Sequence, residues 1–489
     1  MKIDLTIHPE KLERAIQRAR ECKFIIPTMA QQKDPSLIPQ DIQNRLKNIG
    51  LWDLHPLNLF RITWHNEPVP FGGGFGGLNF IEFPSVFTGV DARIIALVGK
   101  WFPTGVHKVG AAYGCLVPQL VTGQFDPTTQ KAVWPSTGNF CRGGAFDTAL
   151  LGGKAVAILP EGMSQERFDW LRGIGSEVIP TPGTESNVKE IFDKCWELRA
   201  SGEDLVIFNQ FEEYGNYLWH YQVTGNAFVD LAHQVLGPKD NITAFTSATG
   251  SAGTIAAGDR LKQEFPGMKI IASEASQCPT MLYNGFGAHI IEGIGDKHVP
   301  WIHNVKNTDF ITDIDDVAVA RLARLFNKEE GQQHLIDEGV DPDLVHKLGL
   351  LGFSSIANIL SAMKFSKFHE LNERDIVLTV LTDSMELYQS RIVEMDEEFG
   401  PYKRDFAIAD NARYLKGQAS GDMVELGYWD RKRIHNLKYY TWIEQQGKTY
   451  EEIQAQWYDP DFWLELQNQQ EEIDALVEEF NHRANVQLD

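Results

Sequence analysis

Residues 242–265 read Ile-Thr-Ala-Phe-Thr-Ser-Ala-Thr-Gly-Ser-Ala-Gly-Thr-Ile-Ala-Ala-Gly-Asp-Arg-Leu-Lys-Gln-Glu-Phe. The apolar run Ile242–Phe245 reads as a strand and Thr254–Phe265 as a helix, and every residue from Ala248 to Gly253 between them is small. Small residues let successive backbone N–H groups turn into one concavity. The helix start adds partial positive charge and the hydroxyls add donors, so Gly250, Ser251, Ala252, Gly253 and Thr254 form a cup suited to a phosphate. No Gly-Lys-[Ser/Thr] follows, so this is not a Walker A loop, and the spacing is not G-x-G-x-x-G. A turn that is merely tightly packed would use the same residues.

Outward from this stretch, strands and helices alternate. Ala132–Trp134, Ala155–Leu159, Glu177–Ile179, Leu205–Phe208, Lys269–Ala272 and Ile376–Leu381 read as strands. Gln165–Gly175, Asn187–Arg199 and Gly225–Leu236 have helical spacing. The alternation predicts α/β layers on a mostly parallel sheet. The tail after residue 395 differs: Leu466, Ile473 and Phe480 are spaced by seven, an amphipathic stripe that either packs on its own domain or meets a second copy. Phe71-Gly72-Gly73-Gly74-Phe75-Gly76-Gly77 reads as a linker or a movable cover.

Three further constellations can carry chemistry. Pro103-Thr104-Gly105-Val106-His107-Lys108-Val109-Gly110-Ala111-Ala112 surrounds a lysine with small and apolar residues. Desolvation there lowers the lysine pKa and favours Schiff-base formation; the alternative is a surface lysine at a helix start. Ser136-Thr137-Gly138-Asn139 follows a strand and enters a helix, which suits a carboxylate ligand or an ordinary cap on a Gly143–Leu151 helix. Leu381-Thr382-Asp383-Ser384 ends the last strand, where open α/β sheets bind ligands and where turns are also common.

The 489 residues carry a formal net charge of −22, from 45 Lys+Arg against 67 Asp+Glu, with 43% hydrophobic residues. That composition is globular and its acidity argues against nucleic acid and anionic membrane surfaces as partners. Five cysteines without a C-x-x-C argue against a disulfide framework or a Cys-type zinc site, so no metal is expected. No apolar leader and no run of 18 apolar residues is present, and a cytoplasmic location is the expectation.

Taken in order, the lysine, Ser-Thr-Gly-Asn, the phosphate cup and a serine after the last strand resemble the pyridoxal-phosphate (PLP) enzymes of the tryptophan-synthase-β fold, fold type II. Gln210-Phe211 through Asn216, His220 and Thr224-Gly225, then Gly293-Ile294-Gly295 with Val299-Pro300, and Gly352-Phe353-Ser354-Ser355 most resemble cysteine synthase and cystathionine β-synthase. The resemblance covers about residues 85–395. It implies a two-lobed, three-layer α/β fold with N- and C-terminal extensions. The division is 1–85 with the Gly-rich segment, 86–395 as the catalytic core with a smaller lobe at about 130–225, and a mostly helical 396–489. It implies that Lys108 carries the cofactor as a Schiff base and serves as the Cα base. By the same resemblance Gly250–Thr254 hold the phosphate, Asn139 the ring hydroxyl and Ser384 the ring nitrogen, while Ser136, Thr137, Gly138 and Asn139 hold the substrate carboxylate.

The implied activity is β-elimination and β-replacement on a serine- or cysteine-type amino acid through an aminoacrylate, with a thiol or sulfide as co-substrate, in a homodimer. The alternatives are a lyase giving pyruvate and a catalytically silent scaffold homologue. The chain departs from the pattern at His107, Val109-Gly110, Phe140, Arg142, Ala252 and Thr382. Arg142 is expected either near an acidic side chain or leaving group of the substrate, or paired with a surface glutamate.

Overall fold

The computed structural model describes residues 2–488. Among them the strands are β1 (Phe80–Phe83), β2 (Arg93–Val98), β3 (Lys131–Pro135), β4 (Lys154–Pro160), β5 (Glu177–Thr181), β6 (Leu205–Ile207), β7 (Asn241–Ala248), β8 (Lys269–Ala275), β9 (Phe310–Ile314), β10 (Asp375–Leu381) and β11 (Met423–Glu425). They form two sheets. The larger runs β1-β2-β10-β7-β8-β9-β11 and the smaller β5-β4-β3-β6. The five inner strands of the larger sheet are parallel, and β1 and β11 add antiparallel edges. The smaller sheet is wholly parallel.

The small sheet is inserted between β2 and β7, so the chain leaves the large sheet, builds the second lobe and returns. Parallel strands need covered faces, and the burial pattern shows it: β2, β8 and β10 are buried at nearly every position. The Lys108–Thr122 helix lies between the lobes and touches the Asn139–Leu150 helix and the Tyr214–Trp219 helix. It comes close because a Cβ at Gly110 would overlap Trp219, and one at Gly114 would overlap the Gly215 carbonyl.

Each strand and helix expected from the apolar runs is present, with ends moved by up to four residues. The Asn139–Leu150 helix starts four residues before the expected Gly143, and neither Ser136 nor Thr137 caps it; its N-cap is Gly138 with no side-chain bond. β1, β2, β9 and β11 were not anticipated. β11 is short and half-exposed, which leaves little apolar signal.

The two ends of the chain pack on each other. The Pro9–Cys22 helix touches the Gln470–Ala484 helix, Phe24 stacks on Phe480, and Ile3 N–H donates to Gln469 Oε1 at 2.6 Å. Asp474 accepts from the Met29 and Ala30 N–H groups at the start of another helix. Leu466, Ile473 and Phe480 are therefore buried within the chain, which settles the heptad stripe as internal packing and removes it as a contact with a second copy. The Gly-rich segment is a pinned hairpin. Gly76 N–H donates to His65 O at 2.7 Å, Gly74 N–H to Glu67 Oε2 at 2.7 Å, and Arg61 Nη2 holds Gly73 O at 2.7 Å. No helix among the described residues is long and apolar enough to cross a membrane.

Candidate active site

Loops at the C-terminal ends of neighbouring parallel strands build the site. β2, β10 and β7 lie side by side, so the segment leading to Lys108, the Asp383-Ser384 turn and the 249–255 loop leave the sheet at one edge. The Ser136–Asn139 loop leaves β3 of the smaller sheet and faces them.

Lys108 opens its helix after a turn in which Thr104 and Gly105 have φ of 71° and 75°. It is half-buried. Burial lowers its pKa, opposed by the charges of Glu185, Asp296 and Asp383 and reinforced by Arg167. The ring of its neighbour His107 is fully buried, stacked on Trp64 and edge-on to His220, with neither nitrogen hydrogen-bonded. Burial pushes this histidine down to about 3, so it is neutral.

In the cup, the backbone N–H groups of Gly250, Ser251, Ala252, Gly253 and Thr254 donate to no other group among the described residues. Ala252 has φ +60°, in the left-handed region that favours glycine. The cup is tied to its surroundings by Asn216, whose Nδ2 donates to Ser251 Oγ at 3.1 Å and to Gln210 O at 3.0 Å. Gln210 Nε2 reaches Ser136 Oγ at 3.2 Å, so one chain of side chains joins the cup to the Ser136 loop. Gly295 N–H donates to Thr249 O at 2.9 Å, which seats the Gly-Ile-Gly loop against the cup. A Cβ on Gly253 would overlap Asn216 Oδ1.

In the Ser136 loop, Gly138 has φ +145° and its N–H donates to Ser136 Oγ at 3.1 Å. The N–H groups of Thr137, Asn139 and Phe140 have no protein acceptor among the described residues. Asn139 Nδ2 donates to Asp383 Oδ2 at 2.7 Å, and its Oδ1 is buried without a partner. Tyr388 OH donates to the same Asp383 oxygen at 2.6 Å. Burial raises the Asp383 pKa. Ser384 is 3% exposed and its hydroxyl bonds to no other group among the described residues, so it does not cap the short helical turn that follows.

Arg142 is not paired with a surface glutamate. Its Nε donates to Thr104 O at 3.1 Å, and its guanidinium lies 4.2 Å from the Trp170 ring centroid. Burial depresses it to about 9. A second arginine, Arg167, is bonded to the Ser136 loop. Its Nη1 bonds Thr137 O at 2.7 Å and pairs with Glu292 at 3.0 Å, and its Nη2 donates to Tyr388 OH at 2.9 Å. Glu292 is shared with Arg391 at 2.7 Å.

Residue motifs did not point to Arg167, Glu185, Glu292, Asp296 or Tyr388. Glu185 sits in what reads as a plain Pro-Gly turn, and Asp296 directly follows Gly293-Ile294-Gly295; an acid after that glycine pair was the one available signal. Both are buried, with Glu185 Oε2 and Asp296 Oδ2 lacking partners. Burial pushes Asp296 up to about 7, with Lys108 opposing. It also holds Glu185 well above the carboxylate range against the pull of Arg167 and a hydrogen bond from Thr137.

A family model described as pyridoxal-phosphate dependent enzyme matches residues 100–333. The cysteine synthase of Staphylococcus aureus is 33% identical over 318 residues, covering 64% of this chain and 93% of that protein. The cystathionine beta-synthase of Saccharomyces cerevisiae is 25% identical over 315 residues, covering 63% of this chain and 59% of that protein. The crystal structure of an O-acetylserine dependent cystathionine beta-synthase from Helicobacter pylori has a TM-score of 0.53 at 24% identity, over 64% of this chain and 94% of that one. The chain belongs to the pyridoxal-phosphate dependent enzymes, among the cysteine synthase and cystathionine β-synthase relatives. It is an enzyme of this class, and its cofactor is PLP.

The residues present fit that cofactor. A loop of free N–H groups at a helix start suits its phosphate. A desolvated lysine suits its aldehyde, and a neutral serine hydroxyl at a strand end suits its ring nitrogen.

Proposed function

We propose that this chain removes a β-substituent from an L-serine- or L-cysteine-type amino acid and adds a thiol or sulfide in its place, as a cysteine synthase does. Bound PLP would withdraw electrons from the Cα–H bond of an amino acid joined to it, which lets a β-substituent leave. The observation that carries this reading is the pairing of a desolvated Lys108 with a cup of unengaged N–H groups. Lys108 would hold the cofactor and, once released, move the Cα proton. The N–H groups of Gly250, Ser251, Ala252, Gly253 and Thr254 would bind the phosphate. Asn139 would orient the ring, its donor shared with Asp383, and Ser384 would meet the ring nitrogen without protonating it. Ser136, Thr137, Gly138 and Asn139 would hold the substrate carboxylate through their N–H groups and hydroxyls. Arg167 would keep that loop in place through the Thr137 carbonyl.

The visible spectrum of the purified protein, before and after O-acetylserine, serine and cysteine, tests this. A cofactor band that shifts with one of them, and is lost in Lys108→Ala along with roughly 10³-fold or more of turnover, is the expected outcome; no band in the wild type would sink the reading. A second reading, a lyase that releases pyruvate, is favoured by Glu185 and Asp296, two buried acids that act electrostatically on Lys108 and each keep one oxygen without a hydrogen-bond partner, able to hold water or take a proton. Product analysis with sulfide present separates the two, since replacement gives a new amino acid and the lyase gives pyruvate regardless. We further propose the division into residues 1–85, 86–395 and 396–489, with the smaller lobe at about 130–225. The same resemblance supports a homodimer and a cytoplasmic location.

A further inference from the structure

Asn139 belongs to the smaller lobe, yet its amide is bonded to the larger one. Nδ2 donates to Asp383 Oδ2 at 2.7 Å, just past the end of β10. Tyr388 OH donates to the same oxygen at 2.6 Å, and Arg167 Nη2 donates to Tyr388 OH at 2.9 Å. All four side chains are buried. Chemistry fixes the direction of every proton in this row. A guanidinium has no acceptor, so Arg167 donates. Tyr388 has one hydroxyl proton; its oxygen accepts from Arg167 and its proton goes to Asp383. Asp383 Oδ2 therefore accepts, whether or not Oδ1 carries a proton, and Asn139 must turn its amide nitrogen towards it. The Asn139 carbonyl and its second N–H are left over, and Oδ1 meets no other group among the described residues.

The acceptor is itself held. The Tyr388 ring is stacked on Phe353, with centroids 4.8 Å apart and planes at 10°. The Asp383 carbonyl takes the Gly352 N–H at 3.0 Å, and a Cβ at Gly352 would overlap Asp383 Oδ1. Arg167 pairs with Glu292 at 3.0 Å and holds the Thr137 carbonyl at 2.7 Å, so one guanidinium braces both the Thr137 loop and the Tyr388–Asp383 pair. Ser384 follows Asp383 directly. Resting on the assignment of Asn139 to the cofactor ring, we propose that Asp383 and Tyr388 are positioning residues that fix the rotation of the Asn139 amide, and with it the contact Asn139 makes with the ring oxygen of bound PLP. Both act through Asn139. The end of β10 then sets the ring at two points, directly through Ser384 and across to the other lobe through Asp383 and Asn139.

The test measures PLP affinity by equilibrium dialysis and the visible band of the PLP-loaded protein, in single and paired variants. Asp383→Ala should weaken PLP binding by roughly tenfold or more, the scale of losing a hydrogen bond to a charged group, and should shift the band. Asp383→Asn keeps an acceptor for both donors and should restore most of the affinity and the wild-type band. Tyr388→Phe keeps the stack on Phe353, removes only the hydroxyl, and should give a smaller change in the same direction. Because Asp383 acts through Asn139, the losses must not add. In an Asn139→Ala background, Asp383→Ala should cost no more than about a further twofold in affinity, the ordinary scatter of additivity. If Asp383→Ala does not fold, the same cycle run with Tyr388→Phe decides the matter, with the same non-additive result expected. A purely structural part for Asp383 would lower the urea midpoint and leave the band of bound PLP unmoved. That outcome, or full additivity with Asn139→Ala, overturns the inference while leaving Asn139 on the ring. Unchanged affinity and band in Asn139→Ala alone would instead overturn the assignment of Asn139, and the inference with it.

Discussion

The cup at Gly250–Thr254 and the pocket beside Lys108 handle charge by opposite means. The cup contains no ionisable side chain; five backbone N–H groups at a helix start face a concavity with nothing to donate to. The pocket is crowded with ionisable groups, among them Lys108, Arg167, Glu185, Asp296 and Asp383, all interacting. Dipoles fixed in the backbone do not titrate and need no desolvated counter-ion, so a chain of net charge −22 can bind an anion without a lysine or arginine. Side-chain charges in a buried pocket cost desolvation, but they can select and move protons. Binding of the invariant part of the ligand is thus left to backbone, and discrimination to side chains.

Breaking the charged side first should give the largest effect. Arg167→Met strands Glu292 with only Arg391 and frees the Thr137 carbonyl. Loss of one partner from a buried pair costs about 3–5 kcal/mol, to be read as a fall in the urea midpoint at constant m-value. Asp296→Asn sharpens the contrast through pH. Asp296 titrates near 7 in the fold against about 3.9 unfolded, so the folded state holds a proton that the unfolded state has lost. Stability must therefore fall as pH rises through that window, by at most about 1.4 kcal/mol per pH unit. The wild-type decline between pH 5 and 7 should be shallower in the asparagine variant; identical slopes would mean that Asp296 is ionised at neutral pH.

The cup should break by shape, at any pH. Gly253→Ala places a methyl on Asn216 Oδ1, and relieving that overlap costs about 1–3 kcal/mol. Cofactor affinity, measured by equilibrium dialysis, should fall by roughly tenfold to a hundredfold, with no change in the pH dependence of binding relative to wild type. Ala252→Gly is the smallest: relief of the left-handed conformation at φ +60°, offset by glycine's greater unfolded-state freedom, should give a gain of about 0.5 kcal/mol in thermal unfolding.

The cup was legible in sequence because its device is local: consecutive small residues between a strand and a helix. Asn139 and Ser384 lie in short motifs at the ends of β3 and β10, and Lys108 lies in a run of small and apolar residues, so all three were candidates from local sequence. The pocket was not legible in this way. Arg167 comes from the first turn of the Gln165–Gly173 helix, Glu185 from a turn after β5 and Glu292 and Asp296 from the long connection after β8, and only the tertiary fold brings them together. Arg142 shows the converse. It lies three residues after Asn139, yet Trp170 and the Thr104 carbonyl capture it. Tertiary competition for a guanidinium leaves no trace in local spacing. The sheet edges escaped notice too, since three or four half-exposed residues do not make an apolar period.

The clasp between the first thirty residues and the Gln470–Ala484 helix has a consequence for biosynthesis. Asp474 cannot reach the Met29 and Ala30 N–H groups, nor Phe480 meet Phe24, until that helix has emerged from the ribosome. Throughout translation the amino-terminal segment waits without its partner, while both lobes it will rest on are already made. A product truncated before residue 470 would leave Phe24 and the Met29 and Ala30 N–H groups without these partners.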